Sequence, residues 1–134
     1  MTGETDLKKL LGGMKPKLNE GEFVFCSVET TERANAFGPL CMFQEEEAVT
    51  VILPKEKADE ASLPYSNTFA WITLTVHSAL EAVGLTAAVS KALADANISC
   101  NVVAAYYHDH IFVPVKDAQQ TMDVLETLSK QETS

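Results

Sequence analysis

Between residues 83 and 115 the hydrophobic period changes once, from that of a helix to that of a strand. No other feature limits the possible folds of this chain so tightly. In the run VGLTAAVSKALADANISCNVVAAYYHDHIFVPV, Leu85, Ala88, Val89, Ala92, Leu93 and Ala96 recur at helical spacing and form one apolar stripe. Asn97 follows, a residue that tolerates the left-handed conformation needed to stop a helix, and Ile98 can fold back on the last turn. The period then becomes two: Val102, Ala104 and Tyr106 alternate with Asn101, Val103 and Ala105. The polar break His108-Asp109-His110 predicts a tight turn into a second strand over 111–115. Asp117, with Gln120 three residues on, marks a further helix start. Ala118, Met122, Leu125 and Leu128 supply that helix with its stripe.

The run FAWITLTV at 69–76, in front of the helix, has the β-branched and aromatic composition of a largely buried strand. Strand, helix, strand, strand, helix over about sixty residues describes a split β-α-β unit. The fold class expected is therefore α+β, a ferredoxin-like arrangement with mixed and antiparallel sheet pairing and the helices on one face. The core residues expected are Ile72, Leu74, Val76, Val89, Leu93, Ile98, Val113, Met122 and Leu125. Trp71, Thr73 and Thr75 alternate to the other side, so an exposed Trp-bearing sheet face is expected there.

The first half repeats this order in reduced form. A short helix through Leu7, Leu10 and Leu11, capped by Thr5 or Asp6, ends at Gly12-Gly13, and Pro16 blocks its continuation. Residues 17–21 read as a turn and 22–28 as a strand. Residues 30–38 are too weakly periodic to predict a stable helix. Strands at 40–44 and 48–53 flank the acidic turn Glu45-Glu46-Glu47, and Pro54 suits the start of a helix running to about Ala61. The stretch 23–28 matches 71–76, and CMFQEEEAVTVILPKEKADEA matches AYYHDHIFVPVKDAQQT in order and chemistry. The expected division is 1–64 and 65–134, with the N-terminal helix covering the sheet face that a shortened first repeat leaves open.

The segment GLTAAVSKALADANISCNVV resembles the helix and second strand of the ACT domain, a regulatory module of amino-acid metabolism. Gly84, Leu93, Asn97 and Ile98 stand at the positions of that family's strand–Gly loop–helix–Asn/Ile pattern. Over nearly its whole length the chain resembles small free-standing bacterial proteins built of two ACT-like repeats, most clearly in GETDLKKLLGGMKPKLNEGEFVFCSV and FAWITLTVHSALEAVGLTAAV. The resemblance implies a non-enzymatic regulatory module that binds an amino acid or similar small molecule. The alternative is a structural or oligomerisation module with no ligand.

Charge and composition narrow the partners. The net charge is −9 with no basic cluster, so phosphate backbones and anionic membrane surfaces are poor partners. No apolar run approaches ~18 residues, and MTGETDLKKL opens with polar and acidic residues, the reverse of a secretory signal. A cytoplasmic protein is expected, with Cys26, Cys41 and Cys100 as free thiols.

Nothing in the chain reads as catalytic: there is no nucleophile elbow and no glycine loop to cradle phosphates. Neither an enzyme nor a cofactor is expected. His108 and His110 sit at i and i+2, as two metal ligands on a strand would, but they lack the third and fourth ligands such a site needs. Glu45-Glu46-Glu47 lacks the spaced oxygens of a calcium loop. Both hairpin tips are therefore expected to be solvated turns.

The candidate ligand site is the loop entering the long helix: His77, Glu81, Val83, Gly84, Leu85 and Thr86. A helix N-terminus offers N–H groups and a positive dipole end to a carboxylate, and Gly84 lets backbone approach closely. The resemblance adds that ACT domains hold effectors in this loop. The ammonium of a zwitterion would meet carbonyls or Glu81. Gly84→Val is expected to block approach while leaving the fold intact. An uncovered sheet face further predicts a homodimer.

Overall fold

In the computed structural model, residues 7–75 and 84–133 are described. They form two compact units, one of residues 7–20 with 70–75 and 84–133 and one of residues 21–69. The elements in chain order are α1 (Leu7–Gly13), β1 (Lys15–Leu18), β2 (Phe23–Val28), α2 (Thr31–Ala36), β3 (Cys41–Gln44), β4 (Val49–Pro54), α3 (Lys55–Glu60), β5 (Phe69–Thr75), α4 (Leu85–Asp95), β6 (Asn101–Ala104), β7 (Asp109–Pro114) and α5 (Ala118–Thr133). The fold is α+β, as the two hydrophobic periods require. Among the described residues no helix is long and apolar enough to cross a membrane.

In the larger unit β5 lies between β1 and β7, and β6 pairs with the far side of β7. The apolar stripe of α4 (Leu85, Val89, Leu93) and Leu125 of α5 pack on Ile72, Leu74, Ile111 and Val113. Helix α4 ends as its sequence dictates. Asn97 takes φ +62°, the Asn97 N–H donates to Ala94 O and the Ile98 N–H to Leu93 O, both at 2.9 Å. Ile98 is buried in the same core, the apolar contact that accompanies this kind of cap. Of the expected core, Val76 lies outside the described residues and Met122 is only partly buried. The others are buried.

Four expectations in this unit are corrected. Lys17 and Leu18, read as the start of a turn over 17–21, instead end strand β1, which runs antiparallel to β5 from Lys15–Thr75 to Leu18–Ile72. Pro16 stops the helix yet is tolerated in a strand paired on one side. Helix α1 does not cover the first repeat: Leu10, Leu11 and Met14 enter the core of the larger unit, because α1 packs on α5 and α4. The hairpin tip falls two residues earlier than read, since β6 ends at Ala104, Ala105 N–H donates to His108 O at 3.1 Å, and Asp109 and His110 already belong to β7. Tyr106 and Tyr107 sit at the tip, 75% and 66% exposed. Their rings meet edge to face at 4.9 Å, so β-propensity misplaced them. Finally, Val115 leaves the strand for a short 3₁₀ turn, Val115–Asp117, that opens α5. Pro114 presets that exit.

The smaller unit pairs β2 with β4 from Phe23–Pro54 to Val28–Val49, and β4 with β3 from Cys41–Ile52 to Gln44–Val49. Helices α2 and α3 cover one face, where Val24, Cys26, Val28, Val51 and Leu53 pack with Ala34, Ala58 and Leu63. The stretch expected to have no helix therefore contains α2. It survives at six residues because Thr30 Oγ1 accepts from the Arg33 N–H at 3.1 Å, Arg33 bridges Glu29 at 2.8 Å, and Ala34 is buried. The acidic turn after β3 is exposed, as expected.

Candidate functional site

Helix α4 begins at Gly84, whose φ of +104° is left-handed and which offers no side-chain cap. The first intrahelical bond runs from the Ala88 N–H to Gly84 O at 2.8 Å. The N–H groups of Leu85, Thr86 and Ala87 precede it, where a helix has no carbonyl of its own to give them. A carboxylate suits that position. Thr86 is exposed on the first turn, with a hydroxyl able to donate.

The side chain of Leu85 turns into the core, so of the six residues expected to form the site it contributes only main chain. His77, Glu81 and Val83 lie outside the described residues. A Cβ on Gly84 would fall 3.2 Å from Leu7 Cδ2. Backbone conformation and contact together forbid a costless side chain here, which corrects the expectation that Gly84→Val leaves the fold intact. Glycine at this place is required by the turn as well as available to a ligand.

A second cluster was not foreseen. On the face of β5 away from the helices, Trp71 Nε1 donates to His110 Nδ1 at 3.0 Å and Thr73 Oγ1 lies 3.1 Å from the same nitrogen. Asn19 Nδ2 donates to Thr73 Oγ1 at 2.9 Å and to Trp71 O at 3.2 Å. The indole N–H can only donate, so Nδ1 must be an acceptor and the ring proton sits on Nε2. Since the Thr73 oxygen accepts from Asn19, its own proton is directed at Nδ1.

Burial, then neighbouring His108, hold the His110 imidazole below its usual pKa, with Asp109 opposing. Burial raises the Asp109 carboxyl, the two histidines opposing. The expected exposed Trp face is thus corrected: Thr73 is 7% exposed, Trp71 is half-buried, and both are tied into polar contacts. The alternation of Trp71 and Thr73 was a signal for this cluster, but Asn19 joins it across more than fifty residues of sequence.

Two of the thiols, Cys26 and Cys100, are poor nucleophiles. Burial pushes Cys26 up and Cys100 up to about 11. All three cysteines are free.

Residues 2–70 match one sequence profile of the ACT domain and residues 68–127 match another. A structure of a protein of unknown function from Vibrio cholerae, described as a possible transport protein, is 47% identical with a TM-score of 0.85, over 92% of this chain and 95% of that one. A protein from Agrobacterium tumefaciens shares the fold at 16% identity and a TM-score of 0.73, over 87% of this chain and 89% of its own. So does the regulatory subunit of aspartate kinase from Thermus thermophilus, at 9% identity and a TM-score of 0.61, over 84% of this chain and 95% of its own. No curated protein matches the chain. With matches in tandem along nearly its full length, the chain belongs to the ACT domain family.

Proposed function

We propose that the protein is a non-enzymatic regulatory module that binds a small zwitterion, an amino acid, where the chain enters α4. The observation that carries this reading is the Gly84 start of α4: a left-handed glycine without a side-chain cap, followed by the exposed Thr86. The ligand carboxylate would take the N–H groups of the first turn and the Thr86 hydroxyl. Its ammonium would meet carbonyls or Glu81, and His77 and Val83 would complete the loop. Membership of the ACT family in both halves supports a regulatory ligand-binding role, and the net charge of −9 disfavours a strongly anionic ligand. The proposal includes a homodimer, for which the exposed Tyr106, Tyr107 and Phe43 offer apolar surface. Sedimentation at micromolar concentration tests that part.

The ligand is tested by a thermal-shift screen against the twenty amino acids. At a hundred times its dissociation constant, a ligand adds about 2.7 kcal/mol of stability, a shift of several degrees for a chain of this size. Thr86→Val, exposed and isosteric, should reduce the shift while leaving the unliganded melting point in place. No shift from any amino acid at millimolar concentration, or an equal shift in Thr86→Val, would remove this reading of the loop.

A further inference from the structure

In the smaller unit a wedge opens along β2. The Lys55 N–H donates to Glu22 O at 2.9 Å, and the register steps inward from there, Phe23 with Pro54 and Val24 with Leu53, to Val28 with Val49. Bonded and non-bonded pairs alternate in an antiparallel ladder. Val24, Cys26 and Val28 therefore exchange bonds with β4, and the N–H and C=O of Ser27 point the opposite way. On that side Phe23 pairs with Phe69, and the same register continued would set Tyr65 opposite Ser27. The chain departs instead. Pro64 has no N–H to give, and Tyr65 turns its hydroxyl onto Asp59 at 2.7 Å. A cleft of about 510 Å³ opens there and extends over the face of β2 and β4, with Phe25, Ser27, Thr50, Pro64, Tyr65 and Ser66 among its lining residues.

We propose that this cleft binds a small uncharged molecule through one amide edge, an N–H beside a C=O, with its apolar body against Phe25, Pro64 and the Tyr65 ring. The outward N–H and C=O of Ser27 have no hydrogen-bond partner among the described residues, and one amide unit complements them as the next strand of a ladder would. Charge selects the class. No lining residue is basic, and a carboxylate flanks each wall: Thr50 Oγ1 donates to Glu45 and Tyr65 to Asp59. Lys55, 3.0 Å from Asp59, offsets that carboxylate, so it is Glu45, with no ion pair among the described residues, that an anionic ligand would meet. The size falls in the range of small-molecule sites. The Phe23–Phe69 pair closes one end, which favours a single amide unit over an added strand. This site lies in residues 21–69 and does not depend on the α4 proposal.

The test is a titration of the isotope-labelled full chain, followed by amide chemical shifts. The probes are N-acetyl-leucinamide, its carboxylate counterpart N-acetyl-leucine, and an uncharged pentapeptide. The neutral amide should saturably shift Ser27, Thr50, Tyr65 and Ser66, with the carboxylate weaker by about tenfold or more. Ser27→Leu, which fills the cleft from an exposed position, should abolish those shifts. Ser66→Leu serves the same purpose should Ser27→Leu not fold. The proposal is overturned if the amide causes no saturable shift up to its solubility limit, or if the carboxylate binds equally well. It is also overturned if the pentapeptide binds more tightly by adding a strand, or if the shifts persist when the cleft is filled.

Discussion

At His110 one proton decides whether two donors keep their acceptor. Trp71 Nε1 and Thr73 Oγ1 both approach Nδ1, and an imidazolium would present them an N–H instead. The lowered pKa expresses the same preference for the neutral ring, with burial its main cause. The charged and titratable groups facing the ring are Asp109 and His108 from its own hairpin. Lys17 of β1 pairs opposite Thr73 on the same sheet face.

Because the folded pKa is depressed, the unfolded chain binds the proton more readily, so stability rises with pH through this window. The His110 contribution is complete above the usual imidazole value of about 6.5 and is lost as pH falls below it. Asp109, raised by burial, acts oppositely but lower, in the carboxylate range. Urea unfolding at about pH 7.5 and about pH 5.5, either side of the imidazole value, should show the native chain losing stability relative to His110→Gln. An identical pH dependence in the two proteins would mean the network does not hold the ring neutral.

Gly84 makes a prediction of the same scale. Forcing a side chain onto φ +104° against Leu7 should cost about 1–3 kcal/mol in Gly84→Ala. A loss under about half a kcal/mol, typical of an unconstrained surface site, would show that the turn relaxes freely.

At the level of elements, those read correctly from sequence carry their causes within one stretch of chain. Helix α4 has its stripe, its glycine start and its Asn97-Ile98 stop inside residues 84–98, and Leu93 is fully buried among them. Leu93→Ala should therefore cost about 2–5 kcal/mol, measured by chemical denaturation, and a loss under half a kcal/mol would move the stripe. The elements that were misread owe their existence to something not periodic. Strand β1 exists because Thr75 to Ile72 lie beside it, some sixty residues away. Helix α2 has too few turns to show a pattern, and it rests on the Thr30 cap. Removing that cap in Thr30→Ala should cost about 1 kcal/mol, visible as faster amide exchange in 31–36, and unchanged exchange would leave the helix without its stated cause. The candidate site was legible only where glycine and a helix start coincide; the His110 cluster was not, because hydrogen bonds between distant strands leave no spacing in sequence.

Over the whole molecule, the repeat in the sequence and the compact units in space do not share boundaries. Residues 7–20 belong with residues 70–75 and 84–133, because three of their apolar side chains, Leu10, Leu11 and Met14, are almost fully buried in that unit's core. Ser129 Oγ adds hydrogen bonds to Met14 O at 3.1 Å and Gly12 O at 3.4 Å. The chain therefore crosses its own length to complete one unit, while residues 21–69 close a separate core of their own. Leu10→Ala removes a fully buried side chain from the first of these, at a cost of about 2–5 kcal/mol. Local stability should fall unevenly: hydrogen exchange followed along the chain should quicken in α5, α4 and β5, far from the substitution in sequence, before it quickens in β2 and β4, which lie nearer. Protection lost first in residues 21–69 would instead place α1 with the first repeat, as the order of the sequence alone suggests.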